Sequence, residues 1–152
     1  MVLSPVQMID VGGKEDQIRT AKAVGKITLR PETIQKIKSN SVEKGDVTAC
    51  AQIAGILSAK KTSEIIPLCH PIPITNVTVK LEIEGRDVVV TSEVSAIAKT
   101  GVEMEALTAV SSALLTVWDM TKKYEKDERG QYPSTTITEI RVVSKTKESK
   151  NT

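Results

Sequence analysis

Between Val77 and Ile83 the chain alternates: Val77, Val79, Leu81 and Ile83 interleave with Thr78, Lys80 and Glu82. A period of two marks a strand with one buried face. Gly85-Arg86-Asp87 turns it into a second run, Val88 to Ala96, so the two form a hairpin. Weaker alternation predicts a first strand over Gly25 to Arg30 and a last one over Thr136 to Val143.

Helical spacing fills the intervals. Pro31 suits a first helical position, and Ile34 and Ile37 extend a short helix to about Ser39. Asp46 is a good N-cap for a second helix running to Lys60, with Ile53, Ile56 and Leu57 on one side. Ile65 to Pro73 holds three prolines around Cys69-His70 and reads as a stiff, non-helical loop. The long helix starts near Gly101 and runs to about Lys122, with Thr100 and Glu103 spaced as a capping box.

The order strand, helix, helix, hairpin, long helix, strand predicts an α+β fold with helices packed on one face of an antiparallel sheet. Residues 1–152 form a single domain, with an irregular or extended N-terminal arm over residues 1–22 and a polar, mobile tail over 146–152. On the long helix Leu107, Val110, Leu114, Val117 and Trp118 make one large apolar stripe, enough to cover a sheet. Thr108, Ser111, Ser112 and Thr116, flanked by Ala109 and Ala113, make a second stripe without charge. Either the chain's own loops cover it or a second copy does, and the scarcity of remaining chain favours self-association.

Composition removes several function classes. There is no Phe, and the only aromatics are Trp118, Tyr124 and Tyr132, so stacking recognition of single-stranded nucleic acid lacks a platform. A formal net charge of +2 gives no general affinity for nucleic acid or anionic lipid. The longest uncharged stretch, Ala106 to Trp118, would span only about 20 Å as a helix, too short for a membrane. Two cysteines and no basic-then-apolar leader predict a reduced, cytoplasmic protein.

Individually the chemical candidates are weak. His70, held between Pro67 and Pro71, is either a positioned acid/base or phosphate donor, or a structural histidine bonded to a backbone carbonyl. Lys44-Gly45-Asp46 at a helix start is either an anion seat or an ordinary turn and cap. Lys60 reads as helix-end charge, Glu103 and Glu105 as first-turn acids favoured by the dipole, and Asp119 with Lys122 as a surface ion pair. Cys50, Cys69 and His70 lack metal-ligand spacing, so no metal is expected.

Together these segments are specific. Lys44-Gly45-Asp46-Val47, Ala54-Gly55-Ile56, Ala59-Lys60, Ile66-Pro67-Leu68-Cys69-His70-Pro71, the run from Thr100 to Val110, and Trp118-Asp119-Met120 follow in an order and spacing that resemble the molybdenum cofactor biosynthesis protein C family, the cyclic pyranopterin monophosphate synthases. The resemblance covers about Asp10 to Lys145. The chain departs from the pattern at Lys147-Glu148, where Gly-Gly is usual, and in the arm, where Gly12-Gly13 and Gln17 replace a usual Ser and Thr.

The resemblance implies a ferredoxin-like fold and a homohexamer, a trimer of dimers with pockets between subunits. It implies a lyase acting on 3′,8-cyclo-7,8-dihydro-GTP, the small-molecule product of an upstream radical GTP cyclase. The products are cyclic pyranopterin monophosphate and diphosphate. Proton transfers and phosphate neutralisation suffice, so no cofactor is implied. By the same resemblance Asp119 and Lys122 are the acid/base pair, and Lys44 and His70 join them as catalytic residues. His70, Cys69 (packing rather than reacting), Glu103, Met104, Glu105, Lys60, Arg19 and Lys145 hold the substrate. The competing class is a non-catalytic, ferredoxin-like nucleotide-binding module. It would expect aromatics on the hairpin strands, and residues 76–97 contain none.

Overall fold

The computed structural model describes residues 1–150. The elements are β1 (Gln17–Thr28), α1 (Pro31–Lys38), α2 (Val47–Lys60), α3 (Thr62–Ile65), β2 (Ile74–Glu84), β3 (Asp87–Ala98), α4 (Glu103–Glu125) and β4 (Thr136–Ser149). The four strands form one antiparallel sheet in the order β2-β3-β1-β4. That is the ferredoxin-like arrangement, in which each half contributes one central and one edge strand. Among the described residues no helix is long and apolar enough to cross a membrane.

Alternation sets the layers. Ala21, Ala23 and Ile27 of β1 and Val88, Val90, Val94 and Ala96 of β3 turn to the buried face. The predicted stripe of α4 lies on them, with Val110, Leu114 and Val117 fully buried and Leu107 and Trp118 half-buried. Gly25 permits this contact: a Cβ there would stand 2.9 Å from side-chain atoms of Val110, Leu114 and Ile140. The Ser92 hydroxyl, buried in the same layer, donates to the Ala106 carbonyl at 2.7 Å.

α2 approaches α4 through small residues. Its buried positions are Val47, Ala51, Gly55 and Ala59. A Cβ on Gly55 would lie 3.0 Å from the Ala109 carbonyl oxygen. Ala109 and Ala113, which flank the uncharged stripe of α4, are buried within this chain. Of the predicted apolar side of α2, Ile56 packs against the core, whereas Ile53 and Leu57 are exposed, as is Leu115 of α4.

Several boundaries differ from those predicted. β1 begins at Gln17, inside the stretch expected to be irregular, because Gln17 pairs with Ala98 on one side and Ser149 on the other. β4 likewise continues through residues 146–149 of the expected tail, and residues 151–152 lie outside the described residues. Both extensions are largely polar, with Ala21 the one core residue in residues 17–22, and they gain their order from cross-strand pairing, which leaves little local hydrophobic signal. α3 is a short helical turn in a segment where none was predicted. The capping box is absent: α4 begins at Glu103, its N-cap is Val102, and no side chain caps it.

Candidate active site

Lys44 and Asp119 meet through the turn before α2. Gly45 adopts φ +112°, a left-handed conformation natural to glycine. Asp46 then caps α2, accepting from the Ala49 N–H at 3.0 Å. Lys44 is thereby aimed across to α4, where its Nζ lies 3.0 Å from Asp119 Oδ2 and 3.1 Å from the Asp119 carbonyl oxygen. One turn on, Lys122 Nζ lies 2.9 Å from Asp119 Oδ1. The Glu43 N–H donates to the Tyr124 hydroxyl at 2.8 Å, which braces the turn against the same helix.

This arrangement fixes the resting charges. Hydrogen bonds from Lys122 and then Lys44 hold the Asp119 carboxyl below its usual range. The bond to Asp119 raises the Lys122 ammonium above its own. Asp119 is a carboxylate between two ammonium groups, and all three remain solvent-exposed. Hollows of about 210 and 410 Å³ lie on either side of Asp119 and Lys122, the larger one walled by Leu115, Trp118 and Ile137.

The start of α4 carries a second cluster. Glu103 is not capping the helix; its Oε1 lies 2.9 Å from Lys145 Nζ on β4. Partial burial pushes the Glu103 carboxyl up, but the bond from Lys145, a bond from its own backbone N–H and the Arg19 charge outweigh it and leave it below the usual range. Arg19 donates to the carbonyls of Ala98 and Lys99, at 3.4 and 3.2 Å, which seats it beside this helix start. These groups border a cavity of about 570 Å³, to which Lys14, Thr100 and Lys147 also contribute.

Glu105, in the same first turn of α4, is only 2% exposed. Its Oε2 accepts from the Cys69 thiol at 3.8 Å, and its Oε1 has no partner among the described residues. Burial, reinforced by neighbouring Glu103, pushes the Glu105 carboxyl up. Burial and then Glu105 push the Cys69 thiol up as well, which keeps it protonated and unreactive. His70 donates from Nε2 to the Ile9 carbonyl at 2.6 Å, so the N-terminal arm lies over it. That is the bond to a backbone carbonyl open to this histidine from sequence.

The expected residues thus fall into separate groups. Lys44, Asp119 and Lys122 come together, as do Arg19, Glu103 and Lys145, with Glu105 and Cys69 adjoining. Lys60 ends α2, on the opposite end from Lys44, and stays exposed; Met104 is partly exposed beside Glu103. Lys14 and Lys147 were not among the site residues expected from sequence. Isolated lysines in polar segments carry no signal until β1 and β4 pair. No group of three or more His, Cys, Asp or Glu side chains able to hold a metal occurs among the described residues.

A ferredoxin-like α+β protein whose lysines and carboxylates gather around small hollows at both ends of one helix is suited to a small anionic ligand. Comparison with known proteins supplies the family. The chain belongs to the MoaC family, whose family model matches residues 8–148. It is 60% identical over 146 residues to the probable cyclic pyranopterin monophosphate synthase of Pyrococcus furiosus, covering 96% of this chain and 94% of that protein. Proteins of the same description from Sulfolobus acidocaldarius and Thermococcus kodakarensis are 59% and 58% identical. These matches cover 92% and 93% of this chain, and 98% and 91% of the relatives.

Proposed function

We propose that this chain is a cyclic pyranopterin monophosphate synthase of molybdenum cofactor biosynthesis. It converts 3′,8-cyclo-7,8-dihydro-GTP to cyclic pyranopterin monophosphate and releases diphosphate. The observation that carries this reading is the 60% identity to a probable synthase along nearly the whole of both chains. The reaction opens the imidazole ring of the guanine, rebuilds it as a pterin and closes a cyclic phosphate. Protons move but no electrons do.

The residues suit that demand. In the resting site Asp119 is a weak base because two ammonium groups stabilise its charge. A phosphate or ring oxygen of the substrate draws Lys44 and Lys122 toward itself, and Asp119 becomes more basic as they leave. Lys122 supplies a proton, and Asp119 accepts one. Arg19, Lys145 and Lys60 neutralise phosphate; Glu103, Met104 and Glu105 meet the base or pterin edge. His70 aids proton transfer or orients phosphate once the arm releases it, and Cys69 packs beside the ligand.

Glu103 and Asp119 stand about 24 Å apart along α4 at 1.5 Å per residue. One small substrate does not span that length, so the pocket takes one helix start and one helix end from different chains. Exposed Ile53, Leu57 and Leu115 support assembly, here as a hexamer built from three dimers. The protein works in the cytoplasm, downstream of a radical GTP cyclase.

The test is incubation of the purified protein with the cyclised substrate. Turnover with diphosphate release supports the synthase. Stoichiometric binding without turnover identifies a non-catalytic nucleotide-binding module instead.

A further inference from the structure

Arg19 and Lys147 are directly opposed across the β1–β4 ladder. Opposed residues leave the sheet on the same face with Cβ atoms about 5 Å apart, and like charges placed so repel each other. Among the described residues neither cation has an ion pair, although Arg19 lies near enough to the Glu103 carboxylate to feel its charge. Arg19 donates to the neutral carbonyls of Ala98 and Lys99. The Lys147 side chain has neither an ion pair nor a hydrogen bond. The nearby carboxylate, Glu103, is already bonded to Lys145. Glu148 points to the opposite face, because side chains alternate along a strand.

These cations share one cavity. Lys14, Arg19, Lys145 and Lys147 line it with Glu103 as their only acid, which leaves the lining at net +3. Its volume, about 570 Å³, is that of a small-molecule site. Thr100 and the start of α4 border the same space, so hydroxyl and helix N-terminus add to the positive field.

We propose that Lys147 is a phosphate-binding residue, which together with Arg19 grips an oligophosphate chain between β1 and β4. An anion there relieves the cross-strand repulsion, so binding and the strand register support each other. The proposal deepens the synthase reading and rests on it only for the physiological ligand, the triphosphate of the cyclised nucleotide. A different origin for Lys147 is protection of an edge strand: β4 lies at the sheet edge, where lysines discourage pairing with another chain. An edge lysine of that kind leaves anion affinity untouched.

The test titrates inorganic tripolyphosphate and diphosphate calorimetrically into the full chain and into Lys147→Ala and Lys147→Glu. A lost charge-assisted contact weakens tripolyphosphate about tenfold in Lys147→Ala. The loss is greater in Lys147→Glu, and raised salt shrinks the difference. Without ligand, Lys147→Ala melts no lower than wild type at low salt, since it removes a repulsion. Turnover of the cyclised nucleotide by Lys147→Ala shows a raised KM with kcat retained. Unchanged tripolyphosphate affinity in both variants overturns the proposal even if the wild type turns over substrate. Weakened tripolyphosphate binding in a protein that never turns over substrate upholds the anion site while the synthase reading fails.

Discussion

Glu103 and Asp119 stand at opposite ends of the 23-residue helix α4, each paired with lysine from a different element: Glu103 with Lys145 of β4, Asp119 with Lys44 before α2 and Lys122 on its own helix. A single rigid helix thus carries both charged clusters and keeps them apart.

That separation makes a mixing experiment decisive. Lys122→Ala and Glu103→Ala, each inactive alone, are dissociated, mixed and reassembled. If a pocket draws Lys122 from one chain and Glu103 from another, random mixing restores about one quarter of pockets. Activity at background, with exchange confirmed by tagging one variant, would leave both residues in one chain's pocket.

Asp119→Asn keeps the shape of the side chain and removes the proton acceptor. Turnover should fall at least about a hundredfold, the usual worth of a positioned acid or base. The melting temperature should stay near wild type, because the group is exposed and its ion pairs are screened. Retention of the wild-type rate would make Asp119 a surface acid only.

Glu105 provides a pH test of burial. Its carboxyl is raised in the folded chain, so folding favours the protonated form. That contribution is complete below the ordinary glutamate value of about 4.3 and is lost as pH rises through the higher folded value. Glu105→Gln should therefore melt above wild type at pH 7 and level with it at pH 4. A melting curve unaltered at pH 7 would show that burial does not penalise this carboxylate.

Glu125 tests the scaffold beneath the Asp119 cluster. It is fully buried at the end of α4, accepting from the Arg30 N–H and from the hydroxyls of Thr33 and Thr135. α1 has no side-chain cap from its own N-cap residue, so the Glu125 carboxyl accepts the bonds at its start. Glu125→Ala strands those donors and should cost about 3 kcal/mol in denaturant unfolding. A loss below about 1 kcal/mol would mean that water replaces the carboxyl.

Gly25→Ala tests the sheet–helix contact. The added methyl meets Val110, Leu114 and Ile140 together, and overpacking of this kind costs about 1–3 kcal/mol. Unchanged stability would show that α4 lifts off β1 without penalty.

Elements whose signal is local can be read directly from the order of residues. The alternation of Val77 to Ile83 marked β2, Asp46 marked the start of α2, and Val110, Leu114 and Val117 marked the covering face of α4. Each of these rests on a period or a cap within a few residues, and the order and spacing of the short motifs were enough to place the chain in its family. Tertiary structure decided what depends on partners far along the chain. Gln17 to Lys22 and residues 146–149 are largely polar, yet they become strands because β1 pairs with β3 on one side and with β4 on the other. Thr100 and Glu103 have the spacing of a capping box, but the helix starts later than that spacing requires: Val102 is its N-cap and Glu103 its first residue, so the box does not form. Ile53 and Leu57 look like core residues in sequence and are exposed, because Ala51, Gly55 and Ala59 allow the closer helix contact. The opposition of Arg19 and Lys147 belongs to the same class: two unremarkable cations become one anion-seeking pair only when strand register fixes them face to face.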